Sequence, residues 1–498
     1  MNIFKQHYRQ IIDGNVLLVI LIAGLLALSS SAASAPSVSY PYMVRVIYMV
    51  PSNRSPQSGA QNQLIDYVLR MRAWYGEEMA RMGYGNKNFI YETEADGVTP
   101  KINIVTVTEK DTFFQGAYLD RWGKILEAIT AAGFPAWQRG EVLLVVADTH
   151  IQNPDGSMNG DFVGGTSGWF TDFTGVGVIS GEFLARFPEA SLKDDRPYKG
   201  SILLTIGPYL LVQDVTFPWF EGTTFSSVSS SAQGAALHEL SHGFGLEHDF
   251  RNDENFNGNL MGNGLRGVRG ALYPDLYPTD DMRLSGSAAM QLNYNRFFNA
   301  GRVFTEDNPP QVNILTQGNV APVNGQCPVR FSASDTDSTL AGALLLKDGM
   351  VTADMRLSGK SITTTISTYD YVPGQTNQWS LQVFDTQGNV TLSSGVLLTC
   401  ATGFNRAPQP TIRITKRRLK IGEAVVLDAG RSLDPDGNTS RMTVQWDLNG
   451  DGIFDTPAST RKTFTATYNT VGVYQISARL TDQRRSTSKS IPIGIRVE

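Results

Sequence analysis

The stretch H-E-L-S-H-G-F-G-L-E-H-D, His238 to Asp249, decides how this chain is read. The sequence holds five histidines, and His238, His242 and His248 all fall inside this stretch. Of the other two, His7 lies in a segment expected to be removed, and His150 follows a strand end in A-D-T-H, where an ordinary loop residue and a second metal site are both open. Structural uses of histidine do not require such clustering, whereas a metal does. Four residues make a little over one helical turn, so His238 and His242 project from one face and can donate to a single ion. Glu239 follows the first ligand directly, within reach of a metal-activated water as general base. The preceding S-S-S-A-Q-G-A-A-L, Ser229 to Leu237, reads as a capped, small-residue helix start. Gly245 lets the backbone leave the helix in the left-handed conformation, and the turn carries His248 back as a third ligand. Three neutral imidazoles leave a coordination position open, the arrangement of catalytic rather than structural zinc.

The extended pattern H-E-x-x-H-x-x-G-x-x-H resembles the metzincin signature of zinc metalloproteases at every ligand position. That resemblance implies an α+β catalytic domain, a twisted mixed sheet with long helices and zinc in the cleft, acting on a protein or peptide substrate. It also implies that Asp249 anchors the motif without a catalytic role, and that a tight turn places a methionine beneath the ligands. N-L-M-G-N-G, Asn259 to Gly264, supplies Met261 between turn-forming residues. Met282 and Met290 compete for that place, but Met282 lacks the turn and Met290 lies in a helix-like run from Leu284 to Phe298. The bland alternative for the whole motif is a solvated helix end whose histidines only cap and pack.

Toward the amino terminus, residues 1–33 read as a secretory signal. Lys5 and Arg9 precede the apolar core Val16 to Leu28, which is shorter than the roughly 20 residues a spanning helix needs. An extracellular protein without a membrane span after signal removal is therefore expected, an uncleaved anchor being the alternative. Residues 36–302 read as one metzincin-like unit. Met43 to Val50, Ile102 to Val107 and Glu141 to Asp148 are strand-like, while Gln57 to Met82 and Tyr118 to Ala132 have helical spacing. The Gly-rich stretch Val163 to Ser180 falls where the resemblance places a substrate-edge strand, although glycine there can simply mark turns or bulges. No cysteine precedes the motif, so latency through a zinc-ligating propeptide cysteine is not expected.

Toward the carboxy terminus, 308–402 shows period-2 runs such as W-S-L-Q-V-F and reads as an Ig-like β-sandwich. Cys327 and Cys400, the only cysteines, lie near its two ends and suggest one disulfide, two buried thiols being the alternative. Such a bridge could stabilise by about 4 kcal/mol in the chain-entropy model. After the linker Asn405 to Pro410, residues 407–498 resemble a PKD domain through L-D-P-D-G-N, V-Q-W-D-L-N-G-D-G and Y-N-T-V-G-V-Y-Q-I-S-A-R-L-T-D. The loops Asp249 to Asn259 and Asp447 to Asp455 are dense in the oxygen ligands calcium takes; plain hydrogen-bonded turns are the alternative reading, and position twelve of the EF-hand-like tract is Ala458. With 18% charged residues, net charge −5 and no basic block, a nucleic-acid surface is excluded. The expectation is a secreted zinc endopeptidase with Glu239 as general base, whose β-domains meet a surface, matrix or glycan. An inactive metalloprotease-like adhesin or binding protein is the reading from another class.

Overall fold

Alternation along the parallel strands sorts their side chains onto the two faces of one sheet. The structure is a computed structural model describing residues 42–498 apart from 117, 153–157, 160–162, 170–172, 198–203, 207–208, 212–223 and 255; the expected signal lies outside the described residues. Strands β1 (Met43–Val50), β2 (Ile102–Thr106), β3 (Glu141–Ala147), β4 (Val163–Trp169) and β5 (Thr174–Ser180) pair in the order β2-β1-β3-β5-β4. The first four neighbours run parallel, and β4 closes one edge antiparallel to β5, so the sheet is mixed. On one face Val44, Val46, Tyr48, Val142, Leu144 and Val146 pack beneath helices α1 (Ala60–Arg81) and α3 (Phe225–Gly243). On the other, Ile47, Met49, Leu143, Val145, Val176 and Val178 meet Ile125 and Ile129 of α2 (Tyr118–Ala131). A sheet covered on both faces explains why β3 is apolar from Val142 to Ala147 instead of alternating.

Three local expectations are corrected. Helix α1 starts at Ala60 and not Gln57, because Gln57 turns its backbone N–H to the Tyr48 hydroxyl and its amide to Asp148 and Gly181. Helix α3 starts at Phe225, a turn before Ser229, because Thr224 and Ser227 form a reciprocal capping box. The run Leu284 to Phe298 is not one helix: Gly286–Leu292 is helical, Arg296–Phe298 is a single tight turn capped by Asn295, and the Asn295 amide instead bonds Phe244 O at 2.9 Å.

The two carboxy-terminal units are β-sandwiches. In the first, Cys327–Ser334 is flanked by Gln311–Ile314 and Ser361–Thr368, facing a larger sheet in which Leu340–Lys347 lies between Thr376–Asp385 and the edge strand Met350–Arg356. The expected disulfide is present and joins the two sheets, Cys327 to Cys400, with Cα atoms 6.0 Å apart, in a core with Trp379, Phe331 and Leu381. The second sandwich buries Trp446, Val425, Leu427 and Ile476. In its Asp447 loop the carboxylate accepts the N–H groups of Gly450 and Gly452, a hydrogen-bonded turn.

The first sandwich packs on the first unit around a buried apolar cluster of Met290 with Leu344, Leu346 and Phe384, and both sandwiches make polar contacts with that unit. Arg417 reaches buried Glu78, donating to Oε1 at 2.8 Å and Oε2 at 3.0 Å, and also pairs with Asp281. At the other junction, Arg296 donates to Asn389 Oδ1 at 2.9 Å and Glu306 O at 2.8 Å. There Asn389 Nδ2 bridges the Glu306 and Asp385 carboxylates. Burial first, and then the neighbouring charges of Asp385 and Asp335, push the Glu306 carboxyl up to about 7. A raised carboxyl stabilises the fold below the ordinary carboxylate range and loses that contribution as pH rises through the folded value. Glu306→Gln is therefore expected to raise the melting temperature relative to wild type near pH 8 and to leave it nearly unchanged near pH 4, below the ordinary carboxyl value. An equal difference at both pH values, measured by thermal unfolding, would show that the junction does not titrate.

A candidate metal centre

Three imidazoles converge because two come from one helix face and the third returns through a helix-terminating turn. His238 and His242 lie on α3, whose end has the hydrogen bonds of a Schellman motif. Leu246 N–H donates to Ser241 O at 3.2 Å and Gly245 N–H to His242 O at 2.8 Å. Gly245 sits at φ 85°, the left-handed conformation the sequence assigns to it. Beyond it His248 comes back, and one nitrogen from each of His238, His242 and His248 lies within 4.8 Å of the others. Among the described residues this is the one set of three or more His, Cys, Asp or Glu side chains gathered so closely.

The hydrogen bonds fix the tautomers. His238 Nδ1 is 2.8 Å from Leu260 O, and His242 Nδ1 is 2.7 Å from Leu246 O. A carbonyl can only accept, so each Nδ1 carries the proton and each neutral ring presents its Nε2 lone pair. The two Nε2 atoms stand 3.1 Å apart. Two lone pairs at that distance repel unless a cation lies between them, and nitrogens on a tetrahedral zinc would keep roughly 3.3 Å. The donor set fits zinc. Burial lowers the pKa of all three rings: His238 to about 4, with Arg266 assisting and the Leu260 bond opposing, and His248 to about 3, with His238 adding to the effect. His242 falls well below its ordinary value for the same first reason, with His248 and His238 adding to it. Neutral rings are ligands at neutral pH, whereas protonated ones are not.

The remaining sequence-identified residues fall around this group. Glu239 lies on α3 next to His238, half-buried. Asp249 is buried; burial opposes its ionisation, but Arg251 and Ser287 outweigh this and hold its carboxyl below the ordinary range. Met261 is buried in the turn closed by Gly262 N–H to Asn259 O at 3.0 Å, and its carbonyl accepts Asp249 N–H at 2.9 Å. The residue before it, Leu260, supplies the carbonyl that orients His238. Met282 and Met290 are core residues of a strand and a helix. His150 is not part of the group; its Nδ1 lies 3.3 Å from Asp148, which also holds Tyr48 and Arg54.

Two features escaped the sequence reading. Gly175 and Gly177 of β5 face α3, where an added Cβ would come within 2.3 Å of Gly243 O and 2.7 Å of the Glu239 carbonyl carbon. The glycines are thus a bed on which the helix bearing His238 and His242 lies backbone to backbone. Their spacing of two within an apolar strand was the available signal. The second feature is Asp253, in the oxygen-rich loop. Its carboxylate accepts the backbone N–H groups of Asn259, Asn263 and Gly264 and the Asn263 amide, pinning the turn that carries Met261. Burial nevertheless pushes its carboxyl up to about 7.

Residues 405–497 match the family model of the PKD domain. No curated protein sequence matches the chain. Among solved structures the chain is similar to OgpA from Akkermansia muciniphila. The catalytically inactive form, in complex with an O-glycopeptide (glycodrosocin) substrate, is 15% identical with a TM-score of 0.46, over 74% of this chain and 95% of that one. Wild-type OgpA is likewise 15% identical, with a TM-score of 0.47, over 74% of this chain and 96% of that one.

The glycine bed is testable by one methyl group. Gly177→Ala pushes against backbone at Glu239 that cannot rotate away, so a loss of about 1–3 kcal/mol is expected in urea unfolding. An unchanged unfolding midpoint would mean that helix and strand are not in backbone contact.

Proposed function

We propose that the chain is a secreted zinc-dependent endopeptidase of metzincin type. The observation that carries this reading is the pair of Nε2 atoms at 3.1 Å, each unprotonated because its Nδ1 is held by a carbonyl, with His248 completing the set. The resemblance of the motif to the metzincin signature supports the same reading. Bound by His238, His242 and His248, zinc would acidify a water toward a pKa of about 7 and polarise a scissile carbonyl.

The chain's own part is proton transfer and orientation. Glu239, adjacent to the first ligand on α3, takes the proton of the attacking water and delivers it to the leaving amine. The carbonyls of Leu260 and Leu246 keep the two helical imidazoles in the tautomer that binds metal. Met261 and Asp249 hold the turn and the return segment and touch no reacting atom in this scheme. The substrate is a protein or peptide, and the β-domains contribute contacts to a surface, matrix or glycan outside the cleft.

The competing reading, a binding protein with an inactive metalloprotease shell, differs in having no chemical need for Glu239. Purified wild-type chain is expected to carry one zinc and to cut a proteome-derived peptide library in a chelator-sensitive way. Glu239→Ala should keep the metal and lose hydrolysis by about 10²–10⁴-fold. Full hydrolysis by that variant would overturn the mechanism, and a wild-type chain that takes up no metal would overturn the site.

A further inference from the structure

His242 owes its position to a helix, but His248 lies beyond Gly245, in a segment that has neither helix nor ladder of its own. Part of what holds that segment lies in the first unit, where Asp249 N–H donates to Met261 O, and part comes from the other two domains. Val351, on the edge strand Met350–Arg356 of the disulfide-linked sandwich, donates its N–H to His248 O at 2.8 Å. The contact is an isolated parallel bridge between His248 and Met350, so the third histidine caps an otherwise open sheet edge. Three residues along the same strand, Asp354 accepts Arg251 Nη1 at 2.6 Å. Arg251 in turn grips Asp249 with Nε at 2.9 Å and Nη2 at 2.8 Å, and Ser287 donates to the same carboxylate at 2.8 Å. The last domain takes over from there. Ile412 N–H donates to Asn252 Oδ1, and Arg413 and Arg431 both pair with Glu254. Asn252 is at φ 54°, a left-handed conformation that the side-chain bond helps to hold.

We propose that the edge strand Met350–Arg356 positions the third metal ligand, with Val351 N–H and Asp354 as positioning residues acting through the His248 backbone and through Arg251 and Asp249. The proposal rests on the zinc reading above and deepens it: the metal site is a property of the whole chain and not of residues 42–302 alone. Groups that orient metal ligands from outside typically change metal affinity by about 10–100-fold when removed. One neutral backbone bond and one charge two contacts away from the ligand fall at the lower end of that range.

The test uses the full chain. Val351→Pro deletes the outward N–H on an edge strand, a place where proline is tolerated, while Val351→Ala keeps the N–H. Asp354→Asn removes the charge at nearly constant shape. Zinc affinity is read by chelator competition, the ligand geometry by the visible absorption band of the cobalt(II)-substituted protein, and folding by thermal unfolding without metal. Val351→Ala should match wild type. Val351→Pro and Asp354→Asn should bind zinc about 10-fold and several-fold more weakly, with a shifted cobalt band. If Val351→Pro does not fold, Asp354→Asn decides alone. Unaltered zinc affinity and cobalt band in the folded variants, even with a lowered melting temperature, would show that the brace is only structural and would overturn the proposal, leaving the zinc reading standing. A wild-type chain that binds neither metal would overturn both.

Discussion

The rest of the structure serves one unfavourable contact: two imidazole lone pairs facing each other at 3.1 Å in a buried place. Nothing in the protein alone rewards that approach. The rings cannot relieve it by taking protons, because desolvation keeps them neutral. They cannot relieve it by switching tautomer either, because each Nδ1–H is committed to a carbonyl. The geometry must therefore be imposed by the surrounding packing, and each element around it supplies part of that constraint.

The helix is fixed from two sides. Beneath it, Gly175 and Gly177 allow backbone contact with the sheet. Beside it, α1 places the Tyr67 hydroxyl on Gln233 O at 2.8 Å and the Tyr75 hydroxyl on Ser241. This explains a helix written in serine, alanine and glycine. With little side-chain volume between its axis and its neighbours, α3 has almost no room to roll, and His238 and His242, one turn apart, stay aligned. The two carbonyls that orient the imidazoles come from the two irregular pieces next to the helix, the Gly245 turn and the Met261 turn. Asp253 secures the second of these with four N–H donors.

What was legible in the sequence is what depends on local geometry. His238 and His242 one turn apart, Gly245 at the helix exit, the strands of the sheet, the two sandwiches and the Cys327–Cys400 pair are each encoded over a few residues or by simple pairing. The helix starts at Ala60 and Phe225 were displaced from the expected ones because single residues decide them: Gln57 is drawn out by Tyr48, Asp148 and Gly181, and Thr224 caps through Ser227. The break after Leu292 depends on where Asn295 finds a partner, and that partner, Phe244 O, is fifty-one residues away in sequence. The role of Asp253 was hidden for a similar reason. An aspartate in an Asn- and Gly-rich loop looks alike whether it binds calcium or gathers backbone N–H groups, and only the fold shows where those N–H groups are.

The least legible part was the relation between domains, and the burial of charge explains why it is a close one. Glu78 is almost fully buried, and two of its partners are arginines, Arg81 of its own helix and Arg417 of the last domain. Withdrawing Arg417 would leave Glu78 and Asp281 with an uncompensated share of buried negative charge, a change that typically costs about 3–5 kcal/mol. A sandwich tied on in that way is not a module on a flexible leash, however much the short linker at Asn405 to Pro410 suggests one. The first sandwich is tied by the backbone of His248, and the second by Asn252 and Glu254 a few residues further along. Helix α3 could align its two histidines from local sequence alone, but the segment that completes the triad has its backbone contacts spread over three domains. Its position therefore depends on the packing of all three.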